Sequence, residues 1–250
     1  MPAHKVAVVI PARHGSTRLP AKPLHLVAGK PLVQRVWERC LKARRINEVI
    51  IATDSEEIAE VAFDFGAQVA LTSPKHRSGT DRVAEVARRL KGTSHVINVQ
   101  GDEPMIDPKL IDRLARQMTS ERSLHMITAA SRFGPNDDLR NPNIVKVVVD
   151  REMNALYFSR LPIPYLRDPE SKPPYYRHQG IYGYSIKFLL RFVKWRPGVL
   201  EKAESLEQLR ALQNSARIRV VLTREAGVGV DTLDDLAAVE ALLKESGPSS

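Results

Sequence analysis

A single cysteine, Cys40, occurs in the 250 residues. No internal disulfide can form, and neither a secreted disulfide scaffold nor a cysteine-built zinc site is supported. A reducing, cytoplasmic setting fits such a chain. No apolar run approaches the roughly 18 residues of a membrane helix, and "VAVVI" near the start is too short and too soon followed by charge for a secretory signal. A soluble protein without membrane insertion is therefore expected. Aromatic residues make up only 6%, and no Lys/Arg run interleaves with them, which disfavours a dedicated nucleic-acid arm. The seven histidines never adopt His-x-x-x-His or His-Glu-x-x-His spacing, so zinc hydrolysis is not expected. Neither Gly-x-x-x-x-Gly-Lys-[Ser/Thr] nor Gly-x-Gly-x-x-Gly appears.

What is present is a core and an excess of positive charge. A hydrophobic content of 43% suffices for a large α/β domain. The 38 Lys and Arg against 29 Asp and Glu give a net charge of +9, which points to anionic partners: nucleic acid, phosphates or an acidic membrane surface. Composition does not choose among them. Val/Ile-rich runs at 5–10, 48–53, 67–71 and 95–99 alternate with helical patterns, the mark of βαβ units and a largely parallel sheet. Between the first two, Leu32, Val33, Val36, Trp37, Cys40 and Leu41 share one helix face, which makes Cys40 a core residue. Further on, 144–150 and 154–159 read as a strand hairpin, and 162–176, with five prolines, as a loop. Helices are expected near 186–195, 203–213 and 233–244, a strand at 217–222, and fraying at 246–250.

The chemistry gathers at strand ends. In "VVIPARHGSTRLPAKPL" the first strand stops at Pro11 and Ala12 and runs into Arg13, Arg18 and Lys22, cations suited to a polyphosphate. A basic loop is equally consistent with a solvated surface. In "NVQGDEP", Asp102 and Glu103 follow the fourth strand and open onto the same sheet edge. Mg²⁺ needs only one or two carboxylates when phosphates supply other ligands, and Asp231 in "GVGVDTLDDL" is the second candidate. The Thr232-x-x-Asp235 spacing reads as a capping box for the last helix, leaving Asp231 to face a ligand. In "HRSGTDR", Ser78 or Thr80 can cap a helix whose first N–H groups, beside Gly79, could receive a nucleotide. For each Asp a turn role, and for the cap a purely structural one, stays open.

Taken in order, "VVIPARHGSTRLPAKPL", "HRSGTDR", "NVQGDEP", "NPNIVKVV", "ALYFSR", "RHQGIYGY", "LEQLR" and "GVDTLDDL" resemble the CMP-KDO synthetases, the 3-deoxy-manno-octulosonate (KDO) cytidylyltransferases, across nearly the whole chain. The resemblance implies an α/β, nucleotidyltransferase-type (Rossmann-like) three-layer sandwich with a mixed, mostly parallel sheet. It implies one domain over 1–245, with a sugar-binding and dimerisation portion at about 130–215. It also implies a cytoplasmic homodimer that couples CTP to KDO with Mg²⁺ and releases diphosphate, for lipopolysaccharide biosynthesis. By the same resemblance Arg13 and Lys22 hold the triphosphate, with Pro11, Ala12, Ser16 and Arg18 as loop neighbours. Arg77, Ser78, Gly79, Arg82 and Gln100 would lie on the cytidine side, and Asp102 and Asp231 would bind the metal. Arg160, His178, Gln179, Tyr182, Glu207 and Gln208 would form the sugar-acid pocket, with Glu207 and Gln208 side by side on a helix whose Leu206 and Leu209 face the core. A related acceptor, such as an amino-deoxy KDO, neuraminate or a polyol phosphate, and a nucleic-acid-binding module are the alternatives at this level.

Overall fold

Val6, Ala7, Val8, Val9 and Ile10 follow one another without a polar residue, and in the computed structural model of the chain all five are sealed from solvent in β1 (Lys5–Ala12). A strand apolar on both faces belongs in the middle of a parallel sheet covered by helices on each side. The structure describes residues 4–15, 19–134, 137–168, 170–224, 227 and 229–245. Ser16, Arg18 and the tail 246–250 lie outside them.

After β1 come a 3-10 turn (Lys22–Leu24), the ribbon β2 (Leu26–Val27) and β3 (Lys30–Pro31), and α1 (Leu32–Leu41). Then follow β4 (Glu48–Thr53), α2 (Glu56–Asp64), β5 (Gln68–Leu71), α3 (Gly79–Arg89), β6 (Thr93–Asn98), α4 (Pro108–Ser120) and β7 (Met126–Arg132). The second half holds β8 (Lys146–Val149), β9 (Ala155–Ser159), β10 (Tyr176–Ser185), α5 (Ile186–Phe192), α6 (Val199–Glu204), α7 (Leu209–Gln213), β11 (Ile218–Thr223) and α8 (Leu233–Glu245).

The main sheet runs β11-β7-β10-β6-β1-β4-β5, with β8 and β9 continuing from β10. Pairing is parallel for β1 with β4 and β6, for β4 with β5 and for β7 with β11, while β10 is antiparallel to β6 and β7. This is the mixed, mostly parallel sheet that was expected. Val8 and Ile10 face a core built with α1, α2 and α4, and Val9 faces one built with α3, α5 and α7, which gives the three layers. A smaller cluster of Leu19, Val27, Leu32, Val230, Leu236 and Val239 lies under α8. Among the described residues no helix is long and apolar enough to cross a membrane.

Several expectations change. The helix expected over 203–213 is two short helices, α6 and α7. Ser205, in the left-handed region at φ 51°, ends the first, and the segment through Leu206–Gln208 turns before the second begins. Leu206 and Leu209 are still buried, so the apolar pattern was read correctly and the backbone was not. The helix expected over 186–195 stops at Phe192. Leu41, at the end of α1, is 51% exposed, whereas Cys40 is buried and burial pushes its thiol pKa up. The hairpin of β8 and β9 is present and antiparallel.

Candidate active site

Parallel pairing of β1 with β6, in which Val9 meets Asn98, brings the carboxyl ends of these strands side by side. Ligands collect beyond such ends in open α/β sheets. Gly101 makes the approach close: a Cβ there would stand 2.9 Å from the Pro11 carbonyl oxygen. Gly79, the first residue of α3, lies against the Pro11 ring, and the Ser78 hydroxyl caps the helix by accepting from Asp81 N–H at 3.2 Å. These pieces wall a cavity of about 400 Å³. Pro11, Ala12, Arg13, Lys22, Arg77, Ser78, Gly79, Arg82, Gln100, Asp102 and Asp231 all line it, so the structure gathers the residues expected at the nucleotide. Arg82 is 3% exposed and donates to Asp54 at 2.8 Å and to Thr72, so its charge is spent on holding the wall.

Lys22 joins three partners. Its Nζ donates to Asp102 Oδ2 at 2.6 Å, to the Val230 carbonyl at 2.8 Å and to Asp231 Oδ1 at 2.9 Å. Burial opposes the charge, but Asp102 and then Asp231 outweigh it and hold the ammonium pKa above its ordinary value. The capping box is formed as expected: Asp235 Oδ2 accepts from the N–H groups of Asp231 and Thr232 at 2.8 Å, and Thr232 Oγ1 accepts from Asp235 N–H at 3.2 Å. Asp231 is thereby fixed at the mouth of the cavity. Because Asp102 and Asp231 converge on one cation position, the donor set fits a divalent ion such as Mg²⁺ that completes its shell with phosphate oxygens and water. Among the described residues no cluster of three or more His, Cys, Asp or Glu could hold a metal without such help.

A second cavity, of about 740 Å³, shares Gln100, Asp102 and Asp231 with the first. His178, Gln179, Tyr182, Glu207 and Gln208 line it, so β10 and the turn between α6 and α7 meet here as the resemblance implied. Burial pushes the His178 pKa down to about 3, so its imidazole is neutral; Nε2 lies 3.0 Å from Thr128 Oγ1 and the ring packs edge-on to Phe158. Burial lifts the Tyr182 pKa well above its ordinary value, keeping the phenol un-ionised. Glu207 is raised by burial, accepts from the Thr80 hydroxyl, and lies 3.5 Å from Arg210. The Gln208 amide nitrogen is buried without a hydrogen-bond partner among the described residues.

Arg160 is not brought to either cavity. Its guanidinium donates to the carbonyls of Glu204 at 2.7 Å, Pro142 at 2.9 Å and Ser205 at 3.4 Å, and so ties the end of β9 to α6. The cation lining the second cavity is Arg177, the neighbour of His178 on β10. Sequence reasoning passed over it, although "RHQG" placed it in the same segment. Two further residues matter: Glu103, which the sequence placed at the sheet edge but without a role, and Lys146, which it passed over. Glu103 lines the second cavity with a buried, unpartnered Oε2, and burial, aided by the Asp102 charge, pushes its pKa up to about 7. Lys146 is wholly buried and donates to the carbonyls of Asn141 at 2.8 Å and Arg160 at 2.7 Å, bracing the 143–145 segment of the wall. A lysine inside the apolar run "IVKVVVD" was its signal.

A family model described as cytidylyltransferase matches residues 7–218. The 3-deoxy-manno-octulosonate cytidylyltransferase of Geobacter sulfurreducens is 46% identical over 249 residues, 96% of this chain and 99% of the relative. That of Polynucleobacter asymbioticus is 50% identical over 241 residues, 94% of each. Among solved structures, a CMP:2-keto-3-deoxy-manno-octonic acid synthetase complexed with CTP superposes with a TM-score of 0.93 at 40% identity, covering 97% of this chain and 99% of that one. A 4-diphosphocytidyl-2C-methyl-D-erythritol synthase from Anaerococcus prevotii, at 13% identity and a TM-score of 0.65 over 97% of both chains, shares the fold.

Proposed function

The chain belongs to the cytidylyltransferase family, and on that footing we propose that it transfers the cytidylyl group of CTP to KDO, forming CMP-KDO and diphosphate. One observation carries the reading: two cavities with different chemistry meet at Gln100, Asp102 and Asp231. The first offers Arg13, Lys22 and the start of α3 to a triphosphate. The second offers one cation, Arg177, and a set of directional partners, Gln179, Tyr182, Glu207 and Gln208, as a polyhydroxylated acid requires. The solved relative complexed with CTP supports the nucleotide half.

In this reading CTP lies in the first cavity with its α-phosphate toward the shared residues, and KDO lies in the second. The anomeric hydroxyl oxygen forms a bond to the α-phosphorus in line. The bond from that phosphorus to the bridging oxygen breaks, diphosphate leaves with the electron pair, and the hydroxyl proton passes to water. Arg13 and Lys22 stabilise charge that builds on the departing phosphates, and Arg177 orients the acceptor through its carboxylate. Positioning and electrostatics then supply the rate, as in other phosphoryl-type transfers. Asp102 and Asp231 would hold Mg²⁺, which, when bound, supplies Lewis-acid stabilisation of phosphate charge.

We place the activity in the cytoplasm and in lipopolysaccharide assembly, and propose a homodimer. Exposed Leu156 and Leu161, at 61% and 70%, support a self-contact at β9 and the loop that follows. The test of the reaction is diphosphate release from CTP with KDO, with and without Mg²⁺, against a panel of other nucleotides and of neuraminate. Release is expected with CTP, KDO and Mg²⁺ together and from no other pair of substrates; equal release with neuraminate overturns the acceptor.

A further inference from the structure

Thr80 belongs to both halves of the site without having been assigned to either. It is the second residue of α3, whose first residue and cap line the nucleotide cavity, yet Thr80 itself lines the acceptor cavity and is 5% exposed. Its hydroxyl donates to Glu207 Oε2. The Tyr184 hydroxyl and Thr80 lie within hydrogen-bonding reach of each other, and Ser78 is within reach of the same Glu207 carboxylate. On its other side Glu207 Oε1 meets Arg210 at 3.5 Å, and Arg210 is itself held by Glu201 at 2.7 Å. Glu207 sits in the turn between α6 and α7, where its carbonyl accepts from Arg210 N–H at 3.1 Å while its side chain belongs to neither helix. The side chain is therefore aimed by its partners, and from the start of α3 these are Thr80, whose hydroxyl donates to it, and Ser78 within reach.

We propose that Thr80 is a positioning residue: it orients Glu207 toward the acceptor and mechanically links the start of the nucleotide-binding helix to the acceptor pocket. This rests on the reading of the second cavity as the KDO site. A hydroxyl is needed, because only a donor can direct a carboxylate oxygen, and a serine provides the same donor. A valine has nearly the same shape and leaves the carboxylate oxygen unpaired.

The experiment is a double-mutant cycle read in steady-state kinetics, with CTP affinity measured separately by calorimetry. Thr80→Val should raise the Michaelis constant for KDO by about tenfold or more, the range for loss of a hydrogen bond to a charged group, while CTP affinity stays within about threefold. Thr80→Ser should restore the wild-type constant. In a Glu207→Ala background, adding Thr80→Val should change nothing further, since a positioning residue acts only through the group it positions. If the valine does not fit, Thr80→Ala removes the same donor without added bulk and carries the same expectation. An unchanged Michaelis constant for KDO in both variants overturns the role, as does an equal effect with and without Glu207. A wild type inactive on KDO overturns the acceptor reading and this role with it; an active wild type with unaffected variants overturns this role alone.

Discussion

The Lys22 ammonium lies 2.6 Å from the Asp102 carboxylate, eighty residues away in the chain, and 2.9 Å from that of Asp231. The ammonium offsets one of the two carboxylate charges, and the trio keeps a net negative charge. Asp102→Asn and Asp231→Asn keep the shape but remove a charge. Each is expected to retain the fold and lose activity by roughly a hundred- to a thousandfold, the range for one transition-state electrostatic contact. Turnover under saturating Mg²⁺ is the measurement, and near wild-type rates in both variants would remove these residues from metal binding.

Lys22→Met and Arg13→Ala address the phosphates. Both should weaken CTP binding by about tenfold, a charge-assisted contact each, and leave cytidine binding unaltered. Calorimetry with the two ligands separates a phosphate role from a general loss of the pocket. Equal CTP affinity in variants and wild type would return the loop to a solvated surface.

Arg177 and Arg160 are told apart by opposite signatures. Arg177→Met should raise the Michaelis constant for KDO, by about tenfold or more for a lost charge-assisted contact, with melting temperature nearly unchanged. Arg160→Met should lower the melting temperature, because it frees carbonyls of Pro142, Glu204 and Ser205 that the guanidinium now satisfies. The reverse pattern would restore Arg160 to the acceptor pocket.

Much of this cavity lining is legible in the sequence because its residues sit at element ends. Asp102 follows a strand, Ser78 caps a helix, and the Thr232–Asp235 spacing announces its own capping box. Local chemistry decides such positions, and local chemistry is written in neighbours. The placing of Arg160 and Arg177 depends on the opposite kind of information. Arg177 lies within β10 and Arg160 just past β9, and only the pairing of β10 with β7 and β8, between residues far apart in sequence, decides which of them faces a cavity. The break at Ser205 was hidden because Leu206 and Leu209 keep a helical apolar spacing across a turn.

Gly101→Ala tests the close approach of two strand ends. A methyl 2.9 Å from the Pro11 carbonyl meets backbone that cannot swing aside, so about 1–3 kcal/mol of stability should be lost by overpacking. CTP affinity should fall with it, since Pro11 walls the nucleotide cavity. Denaturant unfolding and calorimetry measure the two effects, and an unperturbed variant would mean that the strand ends are not so close.

His178 should stay neutral well into acid. Its folded pKa of about 3 lies below the ordinary 6.5, so the unfolded chain takes up a proton that the fold refuses. Its contribution to stability is lost as pH falls from near 6.5 toward 3, by up to about 1.4 kcal/mol per unit. Relative to wild type, His178→Gln should lose less stability over that window. Nitrogen chemical shifts of the ring are expected to stay flat from pH 8 to 5; a titration centred near 6.5 would contradict the burial.

Every strand of the main sheet is complete by Thr223, whereas Asp231 is set by the start of α8, whose Glu240 also accepts from the Ala28 N–H at 2.6 Å beside the ribbon that follows Lys22. Architecture and site thus draw on different stretches of the chain. A nascent chain ending at Thr223 could assemble the sheet and both large cores while owning only one of the two carboxylates. Removing α8 would thus leave the sheet and both large cores their own residues while taking away the Asp235 acceptor that sets Asp231.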